Sequence, residues 1–132
     1  RLPASGYHQK DSTTFYFHSF DPDFDKVVAV CSLSGISRGV FQACYLSYSV
    51  SKEYEGQGHM KKLCLFVIDH AFNELKLNRI MANYMPENIR SAALLNRLGF
   101  EKEGYAKRYL FINGRWEDHI LTSLLSDNCT SI

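Results

Sequence analysis

Apolar residues recur along this chain with two periods, and the change from one to the other marks its organisation. Phe15 to Phe20 and Val27 to Leu33 are rich in aromatic and β-branched residues and are separated by Asp21-Pro22-Asp23, which predicts two antiparallel strands and a turn. Ser34 to Gly39 reads as a second turn and Val40 to Val50 as a third strand, so the three form a meander. From Met60 the spacing changes. Leu63, Val67, Ala71 and Leu75 lie four apart, with Cys64, Ile68 and Phe72 on the adjacent stripe, which predicts a helix to about Lys76 with a wide face against a sheet.

Arg79 to Tyr84 is the next strand, stopped by Pro86. A strand, helix, strand unit of this length implies a parallel pair joined by a right-handed crossover. A second helix opens at Asn88, carries Ala92, Leu95 and Leu98 on one face, and ends at Gly99, a residue suited to a left-handed C-cap. Two alternating runs, Glu101 to Ile112 and Arg115 to Leu125, flank Asn113-Gly114, the strongest short-range signal for a β-hairpin. Residues 1–13 are polar, with Pro3 and Gly6, and read as a loop or the end of a helix; the tail from Ser126 is polar. The expected order is β-β-β-α-β-α-β-β, an α/β (α+β) fold with a mixed, mostly antiparallel sheet.

At 132 residues and 45% hydrophobic content the chain fits one domain with a single core. The formal net charge of +1 argues against wholesale wrapping of nucleic acid. Cys31, Cys44, Cys64 and Cys129 lack Cys-x-x-Cys spacing, and three of them fall in apolar strand or helix patterns, as expected of small buried hydrophobes in a reducing cytoplasm. The histidines show no metal-ligand spacing. No apolar run reaches membrane-spanning length and no charged-then-apolar leader opens the chain, so no membrane partner is expected. The abrupt start at Arg1-Leu2-Pro3 suggests that elements ahead of it are absent.

The candidate chemistry lies between the third strand and the first helix, at Gly56-Gln57-Gly58. Two glycines let the backbone turn tightly and let a ligand approach with no Cβ in the way. The unpaired N–H groups of the helix's first turn and its positive dipole end then make an anion site suited to a phosphate or pyrophosphate. A plain strand-to-helix turn fits the same residues. The dinucleotide fingerprint is excluded, because Lys61 stands where its third glycine belongs, and no Gly-Lys-Ser/Thr follows to make a Walker loop.

Three segments together resemble the GNAT N-acetyltransferases: Glu53-Tyr54-Glu55-Gly56-Gln57-Gly58; Pro86-Glu87-Asn88-Ile89-Arg90-Ser91 with Leu98-Gly99-Phe100; and Asn113-Gly114-Arg115-Trp116-Glu117-Asp118-His119. More narrowly, Gly99 to Lys107 and the strand Arg79 to Tyr84 are similar to the RimJ-type ribosomal-protein-alanine N-acetyltransferases. The resemblance implies acetyl-CoA as co-substrate, no metal, and a primary amine as acceptor, such as a ribosomal protein's N-terminal alanine. It implies that backbone groups of Tyr48, Ser49 and Val50 pair with the pantetheine arm. Glu55, Gly56, Gln57, Gly58, His59 and Met60 would hold the pyrophosphate, and Asn88 would contact the pantetheine. Ser91 would sit near the thiol as the catalytic acid, with no base assigned.

Glu53 stands where the family usually has Gln or Arg, and Lys62 where it usually has Glu, so charge changes are expected near the co-substrate. Family members also begin with an earlier strand and helices that shape the acceptor cleft, which this chain is expected to lack; an exposed sheet edge there would invite a homodimer. Asn88 is equally a good N-cap, and Ser91 equally a surface residue of a first helical turn. His119 beside Asp118 reads as structural rather than as a relay, and Trp116, Tyr105 and Tyr109 as hairpin packing rather than base stacking. Three other functions stay open: transfer to a small-molecule amine, a non-catalytic acyl-CoA-binding module, and a generic nucleotide-binding domain.

Overall fold

A computed structural model describes residues 5–11, 14–23 and 26–127. The elements run β1 (Ser5–Asp11), β2 (Thr14–Asp21), β3 (Lys26–Ser37), β4 (Ala43–Val50), α1 (His59–Asp69), β5 (Arg79–Tyr84), α2 (Ile89–Arg97), β6 (Glu101–Ile112) and β7 (Arg115–Leu125). A short 3₁₀ turn, Lys52–Tyr54, precedes α1, and a π-helical turn, His70–Glu74, continues it. The strands form one seven-stranded sheet in the order β1-β2-β3-β4-β5-β7-β6. Every neighbouring pair is antiparallel except β4–β5, which the α1 crossover makes parallel.

Both helices pack on one face. The stripe predicted from the four-residue spacing is the buried one: Leu63, Cys64, Val67 and Ala71 are fully enclosed against Phe17, Cys31, Leu33 and Leu46 of the sheet. Burying each large aliphatic side chain contributes roughly 2 kcal/mol, which is what holds α1 in place. Leu95 of α2 and Leu98, its C-cap, close over Tyr84 and Phe100 in the same cluster. Burial alone pushes the Cys44 thiol up to about 12, and Cys31 is raised first by its bond to Cys64 and then by burial, so these thiols stay protonated. Cys129 lies outside the described residues.

Three expectations are corrected. The polar opening is not a loop or helix end over residues 5–11 but an edge strand, paired Tyr7↔Phe17 and Gln9↔Phe15, which adds a fourth strand to the meander. An edge strand borrows its register from its neighbour and needs little apolar alternation of its own. The Ser34 to Gly39 turn is instead the end of β3, where Gly35, at φ +58°, sits in a bulge against Tyr45; the turn falls at 39–41, which leaves Val40 outside the sheet and 96% exposed. The first helix stops at Glu74, two residues early, because its last turn widens from α to π geometry. The hairpin β6–β7 turns through Asn113 and Gly114, both at positive φ, as their pairing in sequence predicts.

Candidate active site

β4 and β5 are paired over three rungs only, Ala43↔Arg79, Cys44↔Ile80 and Tyr45↔Met81. Beyond Tyr45 the strands part, and the side of β4 facing β5 is left as an open edge among the described residues. The turn into α1 leaves from the end of β4 and α2 begins just after the end of β5, so both helix N-termini stand at the mouth of the gap. Together they wall a cleft of about 480 Å³.

The glycine turn is built by backbone conformation. Gly56 lies at φ +76° and Gly58, the N-cap of α1, at φ +79°, the left-handed region that L side chains occupy at a cost. A Cβ at either position would meet nothing within 4 Å, so the space beside the turn is open. The first bond inside α1 runs from the Lys62 N–H to the Gly58 carbonyl, which leaves the His59, Met60 and Lys61 N–H groups without helical acceptors. His59 has its Nδ1 buried with no partner, while its Nε2 lies 3.3 Å from Gln57 Oε1.

The turn is tied down on its far side. Tyr54 donates its hydroxyl to Asp21 at 2.9 Å, a bond that raises the phenol's own pKa, and Lys26 meets Glu53 at 3.3 Å. Both partners belong to the β2–β3 hairpin. Glu53 therefore faces that hairpin and lies outside the cleft, as does Lys62. The cations that line the cleft are Lys61, Arg90 and Arg97. Arg90 is ion-paired with Glu55, a bond that spans the cleft from α2 to the glycine turn.

Asn88 caps α2: its side chain accepts the Ser91 N–H at 3.2 Å. The cap orients the first turn of α2 so that Ser91 lines the cleft, where its hydroxyl faces the Tyr48 phenol of β4. Burial raises the Tyr48 pKa, and the Ser91 hydroxyl draws it partly back. Asn88→Ala is expected to cost about 1 kcal/mol of stability, whereas Asn88→Ser keeps the cap; thermal unfolding of the two variants checks this.

Most of the residues singled out in the sequence meet in this cleft. Tyr48, Ser49 and Val50 line it from β4, and Glu55, Gly56, Gly58, His59 and Met60 from the turn, with Ser91 opposite. Gln57 and Asn88 do not: Gln57 turns back to the Glu53 carbonyl at 3.2 Å, and Asn88 is spent on the cap. Sequence reasoning missed the Tyr48–Ser91 contact and the Glu55–Arg90 bridge. Both join segments that only the crossover brings together, and no local pattern announces them.

The acetyltransferase (GNAT) domain model matches residues 4–101. The chain belongs to the GNAT acetyltransferase family. Its resemblance extends to particular members. The [ribosomal protein uS5]-alanine N-acetyltransferase of Escherichia coli K12 is 46% identical over 130 residues, covering 98% of this chain and 67% of that protein. The crystal structure of the ribosomal-protein-S5-alanine acetyltransferase from Vibrio fischeri superimposes with a TM-score of 0.87 at 45% identity, over 90% of this chain and 65% of that one. Mycobacterium smegmatis RimJ in complex with CoA-disulfide gives 0.81 at 28% identity, over 90% and 56%. The chain thus spans about two thirds or less of these relatives' length, with a GNAT sheet and a parting between β4 and β5 inside the shared part.

The site suits a nucleotide-linked thioester on grounds of its own. The open edge of β4 offers strand-like hydrogen bonds to an amide-bearing arm, the glycine turn offers free N–H groups to a diphosphate, and three cations stand around it. No group of histidine, cysteine, aspartate or glutamate arranged to hold a metal is found among the described residues. No described helix is long and apolar enough to cross a membrane.

Proposed function

We propose that this chain transfers the acetyl group of acetyl-CoA to a primary amine, the acceptor being a protein N-terminal amine with alanine in first position. The observation that carries the reading is the parting of β4 from β5 with a glycine-led helix N-terminus at its mouth. The 46% identity to a ribosomal-protein-alanine acetyltransferase supports the acceptor class and a cytoplasmic site of action.

Bound acetyl-CoA supplies a thioester carbonyl carbon to which the amine nitrogen bonds as the C–S bond breaks; of the two protons the acceptor ammonium loses, one leaves on the thiol and one in solvent. The open edge of β4 at Tyr48 to Val50 holds the pantetheine amides as an added strand would. The N–H groups of the glycine turn, from Gly56 to Met60, take the diphosphate, and Lys61, Arg90 and Arg97 balance its charge. An anion seated there competes with Glu55 for Arg90, so binding loosens the bridge across the cleft. Ser91 turns its hydroxyl proton from the Tyr48 phenol toward the leaving sulfur and regains one from solvent as the amine is deprotonated. Backbone N–H groups of β4 stabilise the carbonyl oxygen as it gains charge.

Incubation with acetyl-CoA and a panel of acceptors tests the proposal. Ala-starting peptides, peptides with other first residues, free amino acids and spermidine are compared by thiol release. Turnover with the Ala-starting peptides is expected. Preference for spermidine or an amino acid would replace the acceptor class, and CoA binding by calorimetry without thiol release from any acceptor would overturn catalysis.

A further inference from the structure

Alternation along the strands places Tyr45 of β4, Asn83 of β5 and His119 of β7 on the face opposite both helices. Tyr45 belongs to the last rung before β4 and β5 part. Tyr109 of β6 reaches over β7 and β5 to this point: Asn83 Nδ2 donates to its hydroxyl at 3.5 Å, and burial together with the nearby Tyr45 raises its pKa. Its ring packs on His119 at 5.5 Å between centroids. The His119 Nδ1–H donates to the Glu117 carbonyl at 3.1 Å, which fixes the ring that supports Tyr109.

Tyr109 does not arrive there by regular strand geometry. The ladder between β6 and β7 is interrupted between Ala106 and Leu110, and Arg108 stands at φ +48°. Asp118 holds the irregularity open, accepting the Arg108 N–H at 2.8 Å on one oxygen and the Tyr105 hydroxyl at 2.6 Å on the other. Both bonds keep its carboxyl below the usual range, the Tyr105 bond most. A strained non-glycine residue, stabilised by a carboxylate with no other task, re-aims one side chain; strand bulges do this beside reaction centres. These residues also lie beyond the stretch that the family model matches.

We propose that Tyr109 is a positioning residue for the acceptor: its hydroxyl oxygen accepts a hydrogen bond from the incoming amine at the point where β4 and β5 separate. The inference rests on the acetyl-transfer reading above. A phenol oxygen has one proton and two lone pairs. One lone pair accepts from Asn83, which leaves the other for an N–H. The cluster of two phenols, an amide and an imidazole contains no carboxylate that would hold the acceptor as an ammonium. Ser91 stands on the helical face and Tyr109 on the other, so amine and acid are delivered from opposite sides of one gap.

Tyr109→Phe keeps the ring on His119 and removes only the hydroxyl. We expect kcat/KM for an Ala-starting peptide to fall about tenfold, the size of one lost hydrogen bond to a reacting polar group. Calorimetric acetyl-CoA affinity, KM for acetyl-CoA and the thermal midpoint should stay within twofold or unchanged. Asp118→Asn, which weakens the clamp, should lower kcat/KM for the peptide in the same direction. Peptide kinetics unaltered by Tyr109→Phe would overturn the inference while leaving acetyl transfer standing, and so would a loss matched by equal loss of acetyl-CoA affinity. A parent protein that binds acetyl-CoA and acetylates no amine would overturn both.

Discussion

Gly58→Val is expected to weaken CoA binding by about 100-fold while the protein remains folded. The residue caps α1 at φ +79°, where a non-glycine residue is strained by about 1–2 kcal/mol and a β-branched one by more. Nothing lies within 4 Å of the site a Cβ would take, so the fold has room for the side chain and the strain stays local. That empty space is where the diphosphate is proposed to lie. An isopropyl group there shields the N–H groups of the first turn of α1, and losing one or two charge-assisted hydrogen bonds costs about 3 kcal/mol, or roughly two orders of magnitude in affinity. Titration calorimetry with CoA and a thermal melt measure the two effects separately. A folded variant whose affinity lies within threefold of the parent's would show that the turn does not grip the diphosphate.

Ser91→Ala should lower kcat about 100-fold, the lower end of what a positioned proton donor contributes. The variant isolates the hydroxyl, because Asn88 caps α2 through the backbone N–H of residue 91, which alanine retains. Acetyl-CoA affinity and stability are therefore expected to stay near the parent values. A second signature follows from the Tyr48 phenol, whose pKa is raised by burial and pulled back by the Ser91 hydroxyl. With that hydroxyl gone the phenol should titrate at still higher pH, which NMR of the tyrosine ring carbons reads directly. A kcat within threefold of the parent, with the Tyr48 shift present, would assign Ser91 to packing and leave the acid to be found elsewhere.

How much of this was legible in the chain follows from the range of each determinant. β5, β6 and β7 emerge with the bounds read from sequence, because Pro86 after β5 and Asn113-Gly114 between β6 and β7 are local signals. The α1 face emerges for the same reason, since a helix repeats its pattern within a single turn. Gly35 misled because a glycine in a bulge and a glycine in a turn are the same letter, and only pairing with β4 separates them. β1 was hidden because its partner, not its composition, makes it a strand.

The site divides along the same line. Gly56, Gly58, Asn88 and Ser91 are helix-terminus residues, and helix termini are written in a few consecutive positions. Tyr109 carried no such sign. Its placement depends on Arg108 adopting a positive φ that arginine does not favour, held by a carboxylate ten residues away on another strand. Glu53, the residue whose charge looked out of place, is neutralised by Lys26 across twenty-seven positions of sequence.

The two bonds from the 3₁₀ turn to the β2–β3 hairpin have a wider reach than their exposed setting suggests. Asp21 ends β2 and Lys26 opens β3, and from there they tether the 3₁₀ turn that leads into the glycines. Slackening either tether is therefore expected to shift the glycine turn, and with it the proposed hold on the diphosphate.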